Sequence, residues 1–415
     1  MGNQTSSGSR WRDLQGVALA ASCGEGMLLA VVPLLAASIT SDPRAVSLAT
    51  MASQLPWVLL PLLVGVVIDR VRRASLLGLA LAVQALACAV MALAVHAGML
   101  SLPVLMVIAF VLVVGQVITE GTRGAMVPSV VSPDALDAAN SRLLLIDVGV
   151  VRFLIPPLAG FLVVWSQPAV GWIAALFTAF AVLLSFRLRA VDGATTKPTG
   201  RPRPLREIRD GLHYLVGNRL LRSITVAVSA ASFAWFMGYA TLALYVEQIL
   251  HLDGRGYGLL LACTAVGFAG GAAMASRVIA RLGYPVAMRV AVTVEIACKL
   301  LIGVVPAHWS LVAVVLVVHS AATFVWNVGS QSSRQRYTPP ELLGRVLTSH
   351  RALSWGMAPL GAVAGGLVAG ALSLEFVWVV AAAIQAAGVA LVWRNLSAAG
   401  FENARLVAVP VNNPD

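Results

Sequence analysis

The chain is poor in charged residues and in lysine, and each shortage excludes a class of protein. Charged residues make up 11% of the 415 residues and hydrophobic ones 59%, and the mean hydropathy is +0.86. Soluble domains carry about 25% charged residues. The lysines are Lys197 and Lys299, and neither belongs to the G-x-x-x-x-G-K-[S/T] loop of an ATP-driven pump. We therefore expect a membrane protein that does not hydrolyse ATP.

Cysteine is also scarce. Cys23, Cys88, Cys263 and Cys298 all lie within apolar runs, where free cysteine behaves as a small hydrophobe. Their spacing fits neither a disulfide framework nor a metal motif. Since the sequence also shows no nucleophile–base set, we expect no enzyme activity, no metal and no cofactor.

Long apolar runs predict an all-α membrane protein with twelve transmembrane helices in two six-helix pseudo-repeats. The predicted spans of the first half are 14–38, 45–68, 75–97, 102–126, 136–163 and 171–189. Those of the second half are 220–249, 257–281, 286–305, 310–334, 342–370 and 374–394. The predicted organisation is a cytosolic N-terminus (1–13), a first bundle (14–189), a linker (190–219), a second bundle (220–394) and a cytosolic tail (395–415).

The basic residues set the predicted orientation. The net charge is +11, but the arginines recur at every second predicted loop or adjoining helix end instead of gathering on one surface. This distribution follows the positive-inside rule and does not favour nucleic-acid binding. We expect a multi-pass protein of the inner (plasma) membrane with both termini in the cytosol.

The linker contains Leu205, Ile208, Leu212 and Leu215 at helical spacing. This spacing predicts an amphipathic helix that lies on the inner membrane surface and ties the halves together, in preference to a regulatory or binding role.

The two halves repeat short features. Residues 133–136 (PDAL) before the fifth span resemble residues 340–343 (PELL) before the eleventh, and Arg142 precedes Pro156 by the interval that separates Arg345 from Pro359. Duplicated bundles of this kind place a substrate cavity at their interface near the membrane midplane.

Residues 65–73 (GVVIDRVRR), between the second and third spans, resemble the glycine–aspartate–arginine loop signature of the major facilitator superfamily. Gly65 would let a neighbouring helix approach closely, and the arginines would anchor the loop at the inner leaflet. The resemblance implies a cytosolic gating latch; the alternative is a purely topological role. The candidate gating residues are Gly65, Asp69, Arg70, Arg73, Glu120 and Arg123.

The fifth span resembles the G-x-x-x-G-P-x-x-G-G motif of the drug–proton antiporters. The resemblance rests on Gly149, Pro156, Pro157 and Gly160. Arg152 and Pro156 occupy positions where that motif has glycine, so the match is incomplete. Glu25 after Gly24, and LDAANSR at residues 136–142, further resemble the branch of the enterobactin exporter and the macrolide efflux proteins. This resemblance implies export by a bending helix; the alternative is a structural kink.

Charged residues inside the predicted spans are the main candidates for function. An ionised side chain at the membrane centre costs about 2.5–3.5 kcal/mol, so something must offset that cost. Glu25 is the leading candidate proton carrier. Asp147 either pairs with Arg152 or shares proton transfer with Glu25. Glu120 and Arg123 are predicted to form a helix-end salt bridge or to contact the Arg70 cluster.

In the second half, Glu295 and Lys299 are four residues apart and are predicted to form a structural intrahelical pair. His319 and His350 are predicted to be hydrogen-bonded packing residues. Aromatic and polar side chains of three spans are candidates for a substrate cavity, although packing is the commoner role of aromatics in membrane helices. These are Trp235, Tyr239, Trp326, Asn327, Gln331, Arg351 and Trp355.

The expected function is proton-coupled export of small amphipathic or lipophilic molecules by alternating access, with the substrate, protons and membrane lipids as partners and a monomer as the working unit. The alternatives are an importer or lipid transporter of the same fold, and a membrane receptor or assembly protein that does not transport.

Overall fold

The computed structural model describes residues 2–132, 136–188 and 204–408, and these residues are helical throughout apart from short connections. The helices are α1 (Gly2–Ile39), α2 (Pro43–Leu59), α3 (Pro61–Arg70), α4 (Arg73–His96), α5 (Leu102–Val130), α6 (Leu136–Val148), α7 (Ile155–Trp165), α8 (Gln167–Arg187), α9 (Pro204–Gly217), α10 (Arg219–Leu244), α11 (Gly254–Val304), α12 (Trp309–Arg336), α13 (Pro340–Trp355), α14 (Met357–Ala371), α15 (Leu374–Val392) and α16 (Ala398–Ala408). The repeat residues 133–135 lie outside the described residues.

Within this described part, ten helical segments are long and apolar enough to cross a membrane. The predicted second span is divided into α2 and α3, of 17 and 10 residues, at Leu60. α11 has 51 residues, about 76 Å at 1.5 Å per residue, which exceeds the roughly 30 Å of a hydrocarbon core. Its backbone leaves the helical conformation at Gly283, where φ is 73°. α11 is therefore two helices joined at a kink.

The helix surfaces are arranged for lipid. On α4, Leu79, Leu86 and Leu93 are each more than half exposed, whereas Gln84 on the opposite face is buried. The Gln84 amide donates a hydrogen bond to the carbonyl of Leu112 on α5 at 3.2 Å. Apolar side chains outside and satisfied polar groups inside suit a hydrocarbon solvent. The prediction of an all-helical, multi-pass membrane protein is confirmed.

The helices form two compact units. The first contains the described residues within Met1–Arg201 together with Val246–Ala262. In it, α4 packs against α5 and α8, and α1 packs against α8 and α7. The start of α11 belongs here because Gly160 of α7 approaches it closely: a Cβ atom on Gly160 would lie 2.7 Å from the carbonyl oxygen of Gly254 and 2.7 Å from the Cα of Gly258.

The second unit contains the described residues within Pro202–Tyr245 and Cys263–Asp415. α10 packs against α14 and α15, and the linker helix α9 packs against α13. Leu215 of α9 is buried in an apolar cluster with Leu220, Val292 and Phe401. Protein therefore covers part of the apolar face of this helix, and its position on the membrane surface stays a prediction.

Backbone hydrogen bonds at the ends of α6 and α10 adopt the wider π-helical pattern, at Gly149–Leu154 and Tyr245–Ile249. Pro156 and Pro157 follow the first of these segments and have no N–H to donate, so the regular helical ladder is interrupted there. Single π-helical turns inside helices are frequent at functional sites. The fifth predicted span thus bends immediately after Asp147.

Candidate ion-coupling site

Glu25 lies inside the apolar helix α1 between two glycines that set its position. A Cβ atom on Gly24 would lie 2.5 Å from Oγ1 of Thr178 on α8, and one on Gly26 would lie 2.7 Å from Cβ of Ile155 on α7. Contacts this short exclude larger residues unless the helices separate. The flanking glycines therefore hold α1 against α7 and α8 at the level of the carboxylate.

One of the two carboxylate oxygens of Glu25 accepts a hydrogen bond from a described residue. The side-chain amide of Gln116 on α5 donates to Oε2 at 3.2 Å. Oε1 is buried and accepts no hydrogen bond from a described residue. A buried carboxylate oxygen without a donor is costly when ionised, and protonation relieves that cost. The geometry is suited to a group that alternates between the two protonation states.

Arg123 and Asp147 form an ion pair beside Glu25. Nη2 of Arg123 lies 3.2 Å from Oδ1 of Asp147, which also accepts a hydrogen bond from the hydroxyl of Ser22 at 3.1 Å. Nη1 of Arg123 donates to the carbonyl of Ala18 on α1 at 3.3 Å. The side chain of Arg123 is 4% exposed and that of Asp147 33%. The pair joins α1, α5 and α6 at the kinked region of the fifth span.

This geometry identifies a partner that the sequence did not suggest. Arg123 is buried, and its described ionic partner is Asp147. The pairing of Glu120, and the choice between an Arg152 partner and shared proton transfer for Asp147, stay predictions. The side chain of Arg152 lies outside the described side chains, so its own pairing stays a prediction.

The charges of this region are unequal. Glu25 interacts electrostatically with Arg123, Asp147 and Glu120. Among the described side chains, the carboxylates of Glu25 and Asp147 share the guanidinium of Arg123. A low-dielectric interior disfavours two negative charges beside one positive charge. Binding a proton reduces the imbalance without moving a helix, which makes the group of Glu25, Gln116, Arg123 and Asp147 a candidate ion-coupling site.

The loop at residues 65–73 is tied to this unit by Arg73, whose Nη1 donates to the carbonyl of Ala125 on α5 at 2.9 Å. A Cβ atom on Gly65 would meet no described atom within 4 Å, so the close helix approach expected there is not seen. The close contact is at Gly121 instead, where a Cβ atom would lie 3.0 Å from Cδ1 of Ile68. Arg70 is exposed, and the side chain of Asp69 lies outside the described side chains.

The second unit brings together only some of the predicted cavity residues. Trp235 and Tyr239 stack with ring centroids 6.4 Å apart, and the guanidinium of Arg351 lies 5.9 Å from the ring of Trp355. Asn327 and Gln331 are exposed. Trp326 is 2% exposed and belongs to the apolar cluster of this unit, which places it in the packed core.

Sequence reasoning missed Gln116 and Gln385 as partners of buried carboxylates. Gln385 of α15 donates to Oε2 of Glu295 at 2.8 Å. Lys299 bonds His319 of α12, with 2.8 Å between Nζ and Nε2. Glu295 and Lys299 interact electrostatically on α11, while their described hydrogen bonds go to other helices. An amide within an apolar run was the available signal for both glutamines.

The fold defines a multi-pass, all-helical membrane protein with buried polar groups. The structure resembles that of a mutant form of the nucleoside transporter NupG, with a TM-score of 0.73 and 12% identity over 93% of this chain and 99% of that one. It also resembles a bacterial homologue of the iron transporter ferroportin in its inward-facing state, with a TM-score of 0.72 and 18% identity over 94% of this chain and 99% of the other. At these identities the likeness shows the fold.

Sequence relationships define the family. The model of the transmembrane secretion effector family of the major facilitator superfamily matches residues 11–410. The chain is 26% identical over 370 residues to the MFS-type transporter y4rN of Sinorhizobium fredii (strain NBRC 101917 / NGR234), covering 85% of this chain and 86% of that protein. This chain belongs to the transmembrane secretion effector family, and is a transporter of the major facilitator type.

Proposed function

We propose that the protein is a proton-coupled exporter of small amphipathic or lipophilic molecules that works by alternating access. The observation that carries this proposal is the position of Glu25. Its carboxylate lies within a spanning helix, has one oxygen bonded to Gln116 and the other buried without a described donor, and adjoins the Arg123–Asp147 pair.

Proton exchange at Glu25 provides a switch. When Glu25 is ionised, its charge adds to those of Asp147 and Glu120 and makes a cationic or polarised substrate a favourable neighbour. When Glu25 is protonated, the site loses that attraction and the substrate is released. Substrate and proton thereby occupy the carrier in alternation, which is the requirement for antiport.

The driving force is adequate for uphill export. One charge crossing a potential of 100 mV supplies about 2.3 kcal/mol. A tenfold substrate gradient costs about 1.4 kcal/mol at 25 °C. One proton exchanged for one uncharged substrate therefore supports a gradient greater than tenfold, before any contribution from a pH difference. For a monovalent cationic substrate the exchange moves no net charge, and the pH difference alone drives it.

The Arg123–Asp147 pair links proton exchange to helix movement in this proposal. Asp147 lies two residues before the π-helical segment Gly149–Leu154, where the regular α-helical hydrogen bonding is interrupted. A change in the charge of Glu25 alters how strongly Arg123 holds Asp147, and so biases the bend. The loop at residues 65–73, fastened by Arg73, acts as the gating latch that the family resemblance implies.

The proposed topology has twelve crossings with both termini in the cytosol. Treating α2 with α3 as one crossing, and α11 as two crossings separated at Gly283, adds two crossings to the ten apolar segments. We place the protein in the bacterial inner membrane and treat it as a monomer. The arginine-rich loops support this orientation through the positive-inside rule.

The direct test is Glu25→Gln in proteoliposomes of known orientation, loaded with a lipophilic cationic dye. The amide keeps the size and polarity of the carboxyl group but cannot exchange a proton. We expect loss of dye movement driven by a pH gradient, with dye exchange between equal concentrations preserved. Glu402→Gln, at an exposed position of α16, is the matched control and should transport normally.

Other outcomes separate the alternatives. Undiminished gradient-driven accumulation in Glu25→Gln removes Glu25 from proton coupling. Transport in the opposite vesicle orientation identifies an importer. Absence of any substrate movement or substrate-induced proton flux in the unmodified protein, across a panel of lipophilic drugs, siderophores and lipids, favours a receptor or assembly role.

A further inference from the structure

A second group of buried ionisable side chains lies in the second unit, away from Glu25. Glu295 is 2% exposed, Lys299 1% and His319 5%. Placing an isolated charge in such surroundings costs several kcal/mol, so buried charges persist only when they are paired and hydrogen-bonded. The transport scheme based on Glu25 gives these three residues no role.

The Lys299–His319 hydrogen bond restricts the protonation states of both residues. Nζ of Lys299 lies 2.8 Å from Nε2 of His319. An ammonium group and an imidazolium ring are both donors only. The bond therefore requires that at least one of the two nitrogens keep a lone pair. A fully protonated pair loses the bond between α11 and α12.

Glu295 and Trp235 favour positive charge at this pair. Glu295 precedes Lys299 by one helical turn, and its Oε2 is fixed by Gln385 of α15 at 2.8 Å, while its buried Oε1 has no described donor. The indole of Trp235 on α10 stacks on the imidazole of His319, with centroids 4.9 Å apart and an interplanar angle of 19°. An aromatic face attracts an adjacent cation through the electrostatic field of the ring.

The surroundings of the pair contain few other ionisable groups. Cys298 is buried beside Lys299 on α11 and contributes a thiol. From α12, Thr323 contributes a hydroxyl near Glu295, and α15 and α10 contribute the amide of Gln385 and the indole of Trp235. Of the described residues facing the pair, Glu295 is the one that supplies negative charge. A single added proton therefore changes the net charge of the group from zero to positive.

We propose that Glu295, Lys299 and His319 form a second hydrogen-ion-binding site, in which a proton taken up by His319 breaks its bond to Lys299 and loosens the attachment of α11 to α12. The imidazolium is then held by Trp235 and by the charge of Glu295. Proton binding at this site is a property of the second unit alone; its use in transport rests on the proposed function.

The test follows Trp235 in the purified full chain in lipid nanodiscs. Because the chain has ten tryptophans, the Trp235 signal is taken as the difference between the unmodified protein and Trp235→Phe. An imidazolium in contact with indole quenches its emission more than neutral imidazole does. We expect a reversible step in this signal within a titration from about pH 4 to about pH 8, whose acid half covers the opposition of burial and of the Lys299 charge to protonation of the ring.

Substitutions identify the group that causes the step. His319→Gln, whose amide can still bond Lys299, should abolish it. Lys299→Met should move its midpoint to higher pH, because the neighbouring positive charge is gone. His350→Gln is the matched control and should leave the step unchanged, since His350 bonds Thr225 elsewhere in the unit. The same variants are compared by ¹⁵N NMR of labelled histidine, which does not depend on Trp235→Phe.

A flat Trp235 signal together with a His319 resonance that does not move with pH would overturn the site, as would a step that persists in His319→Gln. Glu25→Gln distinguishes this proposal from the transport scheme. It should keep the Trp235 step while losing gradient-driven transport. If transport proves independent of protons and the step is still present, the transport proposal fails and the second site stands.

Discussion

The buried polar groups of the two units differ in how completely their charges are balanced. In the first unit, the described carboxylates of Glu25 and Asp147 share one arginine, Arg123, one oxygen of Glu25 has no described donor, and the side chain of Asp147 is 33% exposed. In the second unit, the positive charge of Lys299 balances the negative charge of Glu295, and the side chains of Lys299 and His319 are almost fully buried.

This difference indicates that the two groups have different roles. Unbalanced charges on partly exposed side chains favour proton exchange, whereas a balanced and fully buried group contributes more to holding the helices together. Substitutions in the second unit should therefore cost more stability, and those in the first should cost more transport.

The largest loss of stability is expected from Lys299→Met. It leaves Glu295 buried without a cationic partner and removes the bond to His319. Breaking a buried ionic group in this way costs about 3–5 kcal/mol. Thermal or denaturant unfolding in nanodiscs measures the loss. The double variant Glu295→Met/Lys299→Met should recover most of it, and a double variant as unstable as the single one would show that the charges are not coupled.

Arg123→Met should reduce stability less than Lys299→Met does, and it should abolish gradient-driven transport. The cost should be about 3 kcal/mol, the lower end of the range for a buried pair, because the side chain of Asp147 is 33% exposed. Gradient-driven dye transport should be lost, since the helices α1, α5 and α6 are no longer joined at the bend. Arg277→Met, an exposed arginine that bonds its own helix, is the control. Normal transport in Arg123→Met would contradict the assigned coupling.

The smallest expected effect is that of Gln116→Leu. Its amide donates to the carboxylate of Glu25, and a hydrogen bond to a charged group contributes about 1.5–3 kcal/mol. Loss of the donor disfavours the ionised form, so the pH midpoint of transport should rise by roughly one unit or more. Transport assayed across pH measures the shift. An unchanged midpoint would mean that Gln116 does not control Glu25.

Apolar length and arginine placement were sufficient to predict the class of fold, because lipid requires every span to be helical and mostly apolar. Glu25 and Asp147 could be selected for the same reason: charge within a span is costly and therefore functional or paired. The sequence also predicts a loop between residues 281 and 286, and the kink at Gly283 lies within it.

The sequence alone could not identify which residues bond the buried charged side chains. Arg152 is near Asp147 along the chain, yet Arg123 on another helix makes the observed bond. Glu295 and Lys299 have ideal intrahelical spacing, yet each bonds a different helix. Helix rotation and packing determine such contacts, and these depend on small residues such as Gly24 and Gly26 distributed through the unit.

Proton coupling at Glu25 requires that the protein release protons when substrate binds. Purified protein in lightly buffered nanodiscs is mixed with a lipophilic cation, and released protons are followed with a pH-sensitive dye. The unmodified protein and the control Glu402→Gln should release protons in proportion to bound ligand, and Glu25→Gln should bind the ligand with no release. Equal proton release by Glu25→Gln and the unmodified protein would contradict the assignment of Glu25 as the coupling group.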